Sequence, residues 1–504
     1  MNPTTKKTLY QKYQDVMPSG SGALFFIQMF STLSFSVLYS TLVLYITHAL
    51  HMSDSAATSI TASFVAFNYT LHLLGGYAGG RFLSYRSLFS VGMLSSLIGC
   101  VLIAVPDTQY LYWGLAFFLA GSGLNVTCIN CMLTQRFQPD DKRREAAFLW
   151  NYSGMNVGFF VGFSVSGYYQ LIGEYTHLFL FSSIGNLIAL MITAWKWGIL
   201  SDINTTFMHL PNAKKSLLRL QGIGLVVLLI LALRLLIEHS LFSNNLIMCI
   251  GVVMALVIAS LALGQKNADA RNKIWAYLIL AFTSLLFWAL YQLAPMGLTL
   301  FIERNVDRHF MGYLIAPQWI QNVNTVVIII GAPLLSVLFT HLRDRGIRLT
   351  IPLQFSVALL LIGVAFAILP IGISLANAQG YCSFNWILAS YTLQSLGELF
   401  ISPIGYAMIG QLAPVRLQGL MMGTWLMITG VAATMSNYFS KMALGSSNSI
   451  DPLLTNASYS HTFSMLGWSA MAMGVLLIML IPTLLKLTNE KPASQHPRTL
   501  MSEV

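Results

Sequence analysis

The chain has 504 residues, of which 56% are hydrophobic and only 9% charged, with a mean hydropathy of +0.68. Soluble domains carry about 25% charged residues, so the composition excludes a soluble enzyme and indicates an integral membrane protein. The net charge of +10 would suit nucleic acid, but its placement along the chain follows membrane topology instead, and no nucleic-acid partner is expected.

Residues 1–21 are polar and basic and form an N-terminal tail. The first apolar run is too long for a signal-peptide core and no small-residue cleavage site follows it, so it is expected to be retained. Fourteen apolar runs follow, at about 22–47, 55–80, 86–106, 109–136, 146–171, 175–199, 216–238, 244–265, 274–302, 313–341, 349–373, 382–411, 417–440 and 461–487. Runs of about 20 apolar residues each suffice to span a bilayer. Six of them lie in residues 22–200 and read as one bundle. The polar stretch SDINTTFMHLPNAKK opens a segment, 201–270, that holds two further helices as an inserted hairpin. Six more fill a second bundle at 271–488, and 489–504 form a C-terminal tail. The expected fold is an all-α integral membrane protein of two six-helix bundles plus a hairpin, 14 transmembrane helices in all. Paired bundles of this kind place a solute site at their interface near the midplane.

With a cytoplasmic amino terminus and alternating helices, all of the 27 Lys and Arg except Arg234, Arg304, Arg308 and Lys441 fall on the inner side. That bias satisfies the positive-inside rule and puts both termini in the cytoplasm. Cys100, Cys128, Cys131, Cys249 and Cys382 are an odd number of cysteines, mostly inside apolar runs, and read as small core residues. Cys128 and Cys131 share a helix face but have no His or carboxylate nearby, so neither a metal nor a cofactor is expected. No nucleophile–base pair and no P-loop is present, which points away from an enzyme or an ATP-driven pump.

Of the 17 Asp and Glu, only Glu398, in YTLQSLGELFISPIGYAMIG (391–410), lies deep within an apolar run. No Lys or Arg is equally deep. An ionisable group at membrane depth is costly and marks a functional site. Its expected partners are a cationic ligand, water, or the neighbours Gln394 and Ser402 one turn away. The alternative is a protonated carboxyl that serves packing alone.

GELFISPIG resembles the tenth-helix motif of the proton-coupled oligopeptide transporters, a branch of the major facilitator superfamily. The likeness continues in FWALYQLAPMGLTLFIERNVDR (287–308), NYSGMNVG (151–158), LAPVRLQGLMMGTW (412–425) and FQPDDKRREAAF (137–148), and covers nearly the whole chain. The inserted helix pair is typical of bacterial members. The resemblance implies the major facilitator fold, and it makes Glu398 the group that receives a peptide's terminal ammonium. It also makes Asn156 and Asn324 hydrogen-bonding partners of the ligand, Tyr69 a wall of its cavity, and Trp425 the aromatic that shapes a side-chain pocket. Without a ligand role, each Asn reads as an interhelical hydrogen bond, and Tyr69 and Trp425 as packing.

The departures from that pattern are specific. Where relatives carry E-x-x-E-R on the first helix, IQMFSTLSF places Gln28, Ser31 and Thr32. Val126 replaces a fourth-helix lysine, Tyr39 stands where some members have a further arginine, and Gln292 replaces a seventh-helix acid. The cytoplasmic G-x-x-x-D-R gating motif survives as GGYAGGR, with Gly76 and Arg81 kept and Gly80 in place of the acid. Such a cavity can anchor an ammonium but offers no cation to a carboxylate, and an unpaired charge in a low-dielectric pocket is costly. Amidated peptides, amines and other cationic or neutral solutes become plausible substrates beside ordinary peptides, with Gln28, Thr32, Asn125 and Asn130 as partial compensation.

The usual coupling acids are absent, which leaves two candidates for proton coupling. His72 lies three residues after Tyr69 on the same helix face and has an ordinary pKa near 6.5; it reads equally as a structural histidine. Glu398 is the other. The expected function is alternating-access transport of di- and tripeptides or related amine-bearing solutes, coupled to protons. The alternatives are a facilitator or exchanger of a non-peptide solute, and a sensor that binds without transporting. A multi-pass protein of the bacterial inner membrane, surrounded by lipid and acting as a monomer, is expected.

Overall fold

In the computed structural model the described residues are 18–137, 141, 143–203, 205–345, 349–414, 417–445 and 449–488. Of the expected tails, residues 1–17 and 489–504 lie outside them. The helices in chain order are α1 (Ser21–His48), α2 (Asp54–Ala78), α3 (Tyr85–Ile103), α4 (Thr108–Thr134), α5 (Arg143–Leu171) and α6 (Tyr175–Trp195). There follow α7 (Asn212–Glu238), α8 (Ser240–Leu263), α9 (Ala268–Tyr291) and the short α10 (Thr299–Asn305). The series ends with α11 (Pro317–Ile320), α12 (Asn322–Asp344), α13 (Ile351–Ser374), α14 (Phe384–Leu412), α15 (Gln418–Leu444) and α16 (Pro452–Thr488). All fourteen expected spans are helical, α9 with α10 and α11 with α12 each making one.

Among the described residues, ten of the spans are long and apolar enough to cross a membrane by length and composition. Outside that set are α2, α5, α14 and α15, the helices that carry Tyr69 with His72, Asn156, Glu398 and Trp425. Polar residues at the ends of the runs start the helices. Ser53 accepts from Ala56 N, Asp107 from Gln109 N, and Asn267 from Asp269 N, each satisfying an otherwise unpaired donor of a first turn. The span α9–α10 is broken in its middle. A π turn over Ala294–Leu298 contains Pro295, and Met296 takes non-helical angles of −125° and −110°. Proline lacks the N–H that the helix ladder requires there.

The chain divides into two compact units, one of residues 1–245 with 315–322 and the other of 246–314 with 323–504. In the first, α1 packs on α5 and α6, α3 on α4 and α6, and α2 and α7 on α4. The α3–α4 seam is set by glycines seven residues apart on each helix. Gly92 lies against Gly121, and Gly99 against Gly114, where an added Cβ on Gly99 would stand 2.6 Å from the Gly114 carbonyl oxygen. Small residues let backbones approach closely, which is how helices gain contact where lipid supplies no hydrophobic drive. Polar ties cross the same unit: Ser34 to Asn186 at 2.6 Å, Ser122 to Asn68 at 2.8 Å, and Tyr45 OH to the Ile103 carbonyl at 2.8 Å.

The hairpin α7–α8 turns on His239 alone. Only 28% and 17% of the apolar windows of its two helices are buried, so most of their side chains face outward. Arg234 anchors α7: it donates to Glu238 at 2.5 Å and to Gln109 at 2.6 Å, and lies 5.1 and 5.5 Å from the Tyr112 and Trp113 rings. In the second unit α13 packs on α14 and α16, and α9 on α15. Two short strand pairs lie against the helix ends. Val306–Asp307 pairs in parallel with Cys382–Ser383, and His309–Phe310 pairs antiparallel with Tyr313–Leu314. The turn between the latter, Met311–Gly312, has positive φ at both residues, as a tight two-residue hairpin requires.

Candidate functional site

Glu398 sits in the middle of α14 and is partly exposed. Two donors meet it from neighbouring helices. Tyr291 OH, at the end of α9, lies 2.8 Å from Oε2, and Asn324 Nδ2, in the first turn of α12, lies 2.6 Å from the same oxygen. Among the described residues Oε1 receives no hydrogen bond. Asn324 Nδ2 is also 3.2 Å from Ser395 Oγ, so one amide joins two positions of α14. The expected partners Gln394 and Ser402 do not serve: Gln394 donates to Ser390 Oγ at 3.1 Å, and Ser402 is not among the groups bonded to Glu398. Residues one turn away share the face but run along their own helix, whereas the carboxylate reaches across to α9 and α12.

Aromatic rings flank the carboxylate. Tyr291 stacks on Phe287 with centroids 6.2 Å apart and meets Trp288 edge-on at 5.6 Å. Gly397 lets α14 approach this group, since an added Cβ would lie 3.1 Å from Phe287 Cε2 and 3.2 Å from the Ala358 carbonyl oxygen. A carboxylate with one open oxygen beside aromatic rings suits an ammonium, by charge and by attraction to ring faces. Trp425 is buried on α15, packed against Gly405 and 6.1 Å from Phe355. Gln292 is buried at the cap of α9, just before the π turn, and its backbone N–H bonds to the Trp288 carbonyl.

The first unit carries the other candidates. The places of the absent E-x-x-E-R motif hold neutral groups bonded to one another: Gln28 Nε2 donates to Thr32 Oγ1 at 2.9 Å, and Asn151 Nδ2 to Gln28 Oε1 at 3.4 Å. Asn156 is buried, and its amide bonds back to the Tyr152 carbonyl at 2.9 Å on its own helix. Tyr39 is buried between Phe35 and Phe163, at 5.7 and 6.5 Å. Tyr69 meets His72 edge-on at 6.0 Å. His72 Nδ1 lies 2.8 Å from the Gly123 carbonyl oxygen, an acceptor that requires the proton on Nδ1. Gly76 is exposed, and Arg81 stacks over Tyr77 at 4.6 Å. Asn125, a compensating group in the sequence reading, is buried with its amide on Met93 Sδ.

Glu398 and Asn324, both singled out in the sequence, are brought together here, and Tyr291, one turn before Pro295, joins them with no sequence signal of its own. Asp202, in the loop after α6, is buried, which its place in the sequence does not signal.

The helices define a multi-pass membrane protein whose second unit holds a carboxylate, Glu398, at mid-span between Tyr291 and Asn324. The profile described as the POT family matches residues 85–453, and the chain belongs to that family. It is 30% identical over 472 residues to dipeptide and tripeptide permease A of Cronobacter turicensis, covering 93% of each chain. With the Escherichia coli K12 permease of the same name it shares 29% over 490 residues, 96% of each chain. Among solved structures, a peptide transporter POT in complex with sulfate superposes with a TM-score of 0.80 at 22% identity, over 95% of this chain and 99% of that one. A POT family transporter in complex with 5-aminolevulinic acid superposes with a TM-score of 0.79 at 21% identity, over 93% and 99%. These likenesses show the all-α transporter fold expected from the sequence.

Proposed function

We propose that the protein transports di- and tripeptides or related small amine-bearing solutes across a bacterial inner membrane by alternating access, as a monomer with both termini in the cytoplasm. The observation that carries the reading is the 30% identity to a dipeptide and tripeptide permease over 93% of both chains. Glu398 supports it locally: it takes the ligand's ammonium on Oε1, while Tyr291 and Asn324 hold the carboxylate in place through Oε2. The resemblance to the family also makes Asn156, Tyr69 and Tyr39 of the first unit, and Gln292 and Trp425 of the second, candidate ligand contacts, with Gly76 and Arg81 in the gating motif.

The neutral chain Gln28–Thr32–Asn151 supports a departure from the typical relatives. With no cation at these positions, a ligand's carboxylate meets only amide and hydroxyl donors, so amidated peptides bind at least as well as free acids. Proteoliposomes loaded with the purified protein test the reading directly. Uptake of a labelled dipeptide, or of its amide, above empty vesicles is the expected outcome. Binding without flux would make the protein a sensor, and flux that ignores an imposed pH gradient would make it a facilitator.

A further inference from the structure

The acidic position of the turn 75–81 is filled by Gly80, yet a buried carboxylate reaches its neighbourhood from a different part of the chain. Asp202, in the linker after α6, is 4% exposed. Its Oδ1 and Oδ2 lie 3.1 and 3.2 Å from Tyr85 N at the start of α3, and Thr205 Oγ1 donates to Oδ2 at 3.2 Å. Burial raises the Asp202 carboxyl above its usual range, while the bonds from Tyr85 and Thr205 and the charges of Arg86 and Arg136 pull it back. The helix start favours an anion at this point, through its unpaired N–H groups and dipole.

The same linker is fastened along its length. Arg86 donates to the Trp197 carbonyl and stacks over that ring at 4.5 Å. Arg136 donates to the Ile199 carbonyl at 2.6 Å, and Gln135 Oε1 accepts from Ile203 N at 2.8 Å. Phe207 N donates to the Gly80 carbonyl at 2.9 Å, and the Thr205 methyl stands 3.1 Å from where a Cβ on Gly80 would be. Residues 197–203 and 205–207 therefore tie the Gly80 turn, the start of α3 and the end of α4 together.

We propose that Asp202 is a positioning residue of the transport cycle, supplying from the linker the charge that the 75–81 turn lacks and locking segment 197–207 across these helix ends. The inference rests on the transport reading above. With the strap fastened, the ends of α2, α3 and α4 move as one body; with it loose, each end relaxes separately and the conformational step slows, while the ligand site is untouched.

The experiment uses the full-length protein in proteoliposomes, with Asp202→Ala, Asp202→Glu and the double variant Gly80→Asp with Asp202→Ala. Gly80 has φ of +74°, a conformation that aspartate tolerates better than most residues. Asp202→Ala is expected to lower kcat about fivefold or more with KM within about twofold, the signature of a lost conformational rather than binding contribution. Hydrogen exchange of the peptide spanning 197–210 should quicken about tenfold in that variant, because loss of the Tyr85 and Thr205 ties to Asp202 loosens the strap that holds the Ile203 amide on Gln135 and the Phe207 amide on the Gly80 carbonyl. Asp202→Glu and the double variant should recover kcat and protection. Unchanged kcat and exchange in Asp202→Ala would overturn the proposal. So would a fall in thermal stability and in kcat that neither Asp202→Glu nor the double variant restores, since that is a purely structural role. If the wild type moves no peptide, the transport reading fails by itself, and exchange alone then decides whether Asp202 locks the strap.

Discussion

Glu398 shows how far one side chain can be read. Both of its hydrogen bonds fall on Oε2, from Tyr291 and Asn324, so the ligand contact is assigned to Oε1. A charge-assisted bond of this kind is worth about 1.5–3 kcal/mol. Glu398→Gln preserves shape and removes charge, so affinity for an amine-bearing peptide should fall about ten- to a hundredfold by calorimetry or thermal shift. Affinity for the same peptide with its amine acetylated should stay constant; equal loss for both would refute the ammonium role. His72 behaves differently. Its Nδ1 proton lies on the Gly123 carbonyl, which leaves Nε2 to take or release a proton, so if His72 is the coupling group His72→Gln should abolish acid-stimulated uptake while sparing counterflow exchange. An unchanged pH profile of uptake in that variant would remove His72 from the mechanism. Glu398 stands out in the sequence because an acid inside an apolar run is costly, although the same pattern also fits a protonated carboxyl that serves packing alone. Tyr291 does not, since a tyrosine near a helix end is commonplace until its hydroxyl is seen on a carboxylate. Asp202 escaped because a loop acid looks solvated when only its neighbours in sequence are known.

At the scale of elements, the α3–α4 seam leaves no room between two backbones. Gly121 meets the Gly92 backbone, and no side chain fits between them. Gly121→Leu should destabilise the protein by about 1–3 kcal/mol or more through overpacking, read as a lower melting temperature in detergent. Gly224 has open space where a Cβ would go, so Gly224→Leu on α7 should leave the melting temperature within error; similar losses for both would discount the seam. Helix existence was legible from apolar length, but apolarity alone places the starts late where a first turn is polar: α9 is expected from 274 and begins at Ala268, after its cap Asn267. The break at Met296 and the strand pair around Met311–Gly312 were not legible. Both depend on what surrounds a proline or a glycine, and local composition carries no record of that.

For the whole molecule, the division of Lys and Arg predicts that the His239 elbow of the hairpin faces the periplasm. Leu241 is exposed there, and Cys249 is the exposed native thiol. Leu241→Cys in a Cys249→Ser background should therefore react with a membrane-impermeant maleimide added outside intact spheroplasts. Labelling only after lysis would invert the topology and place the termini in the periplasm. The count of spans and the family were legible because fourteen apolar runs and several motifs repeat the same message over the chain. Two bundles were expected; that residues 315–322 group with the first unit, although the sequence on either side groups with the second, has no local signal. The open oxygen of Glu398 has a thermodynamic consequence. A carboxylate that has committed Oε2 can host one cation more, so a proton and a ligand ammonium are rivals for a single seat. Each then weakens the other by the same factor, as reciprocity between linked equilibria demands. On the acid side of the carboxyl's titration, the ligand's apparent Kd should grow about tenfold per pH unit. Saturating ligand would, in return, drive one proton off the protein for each molecule bound.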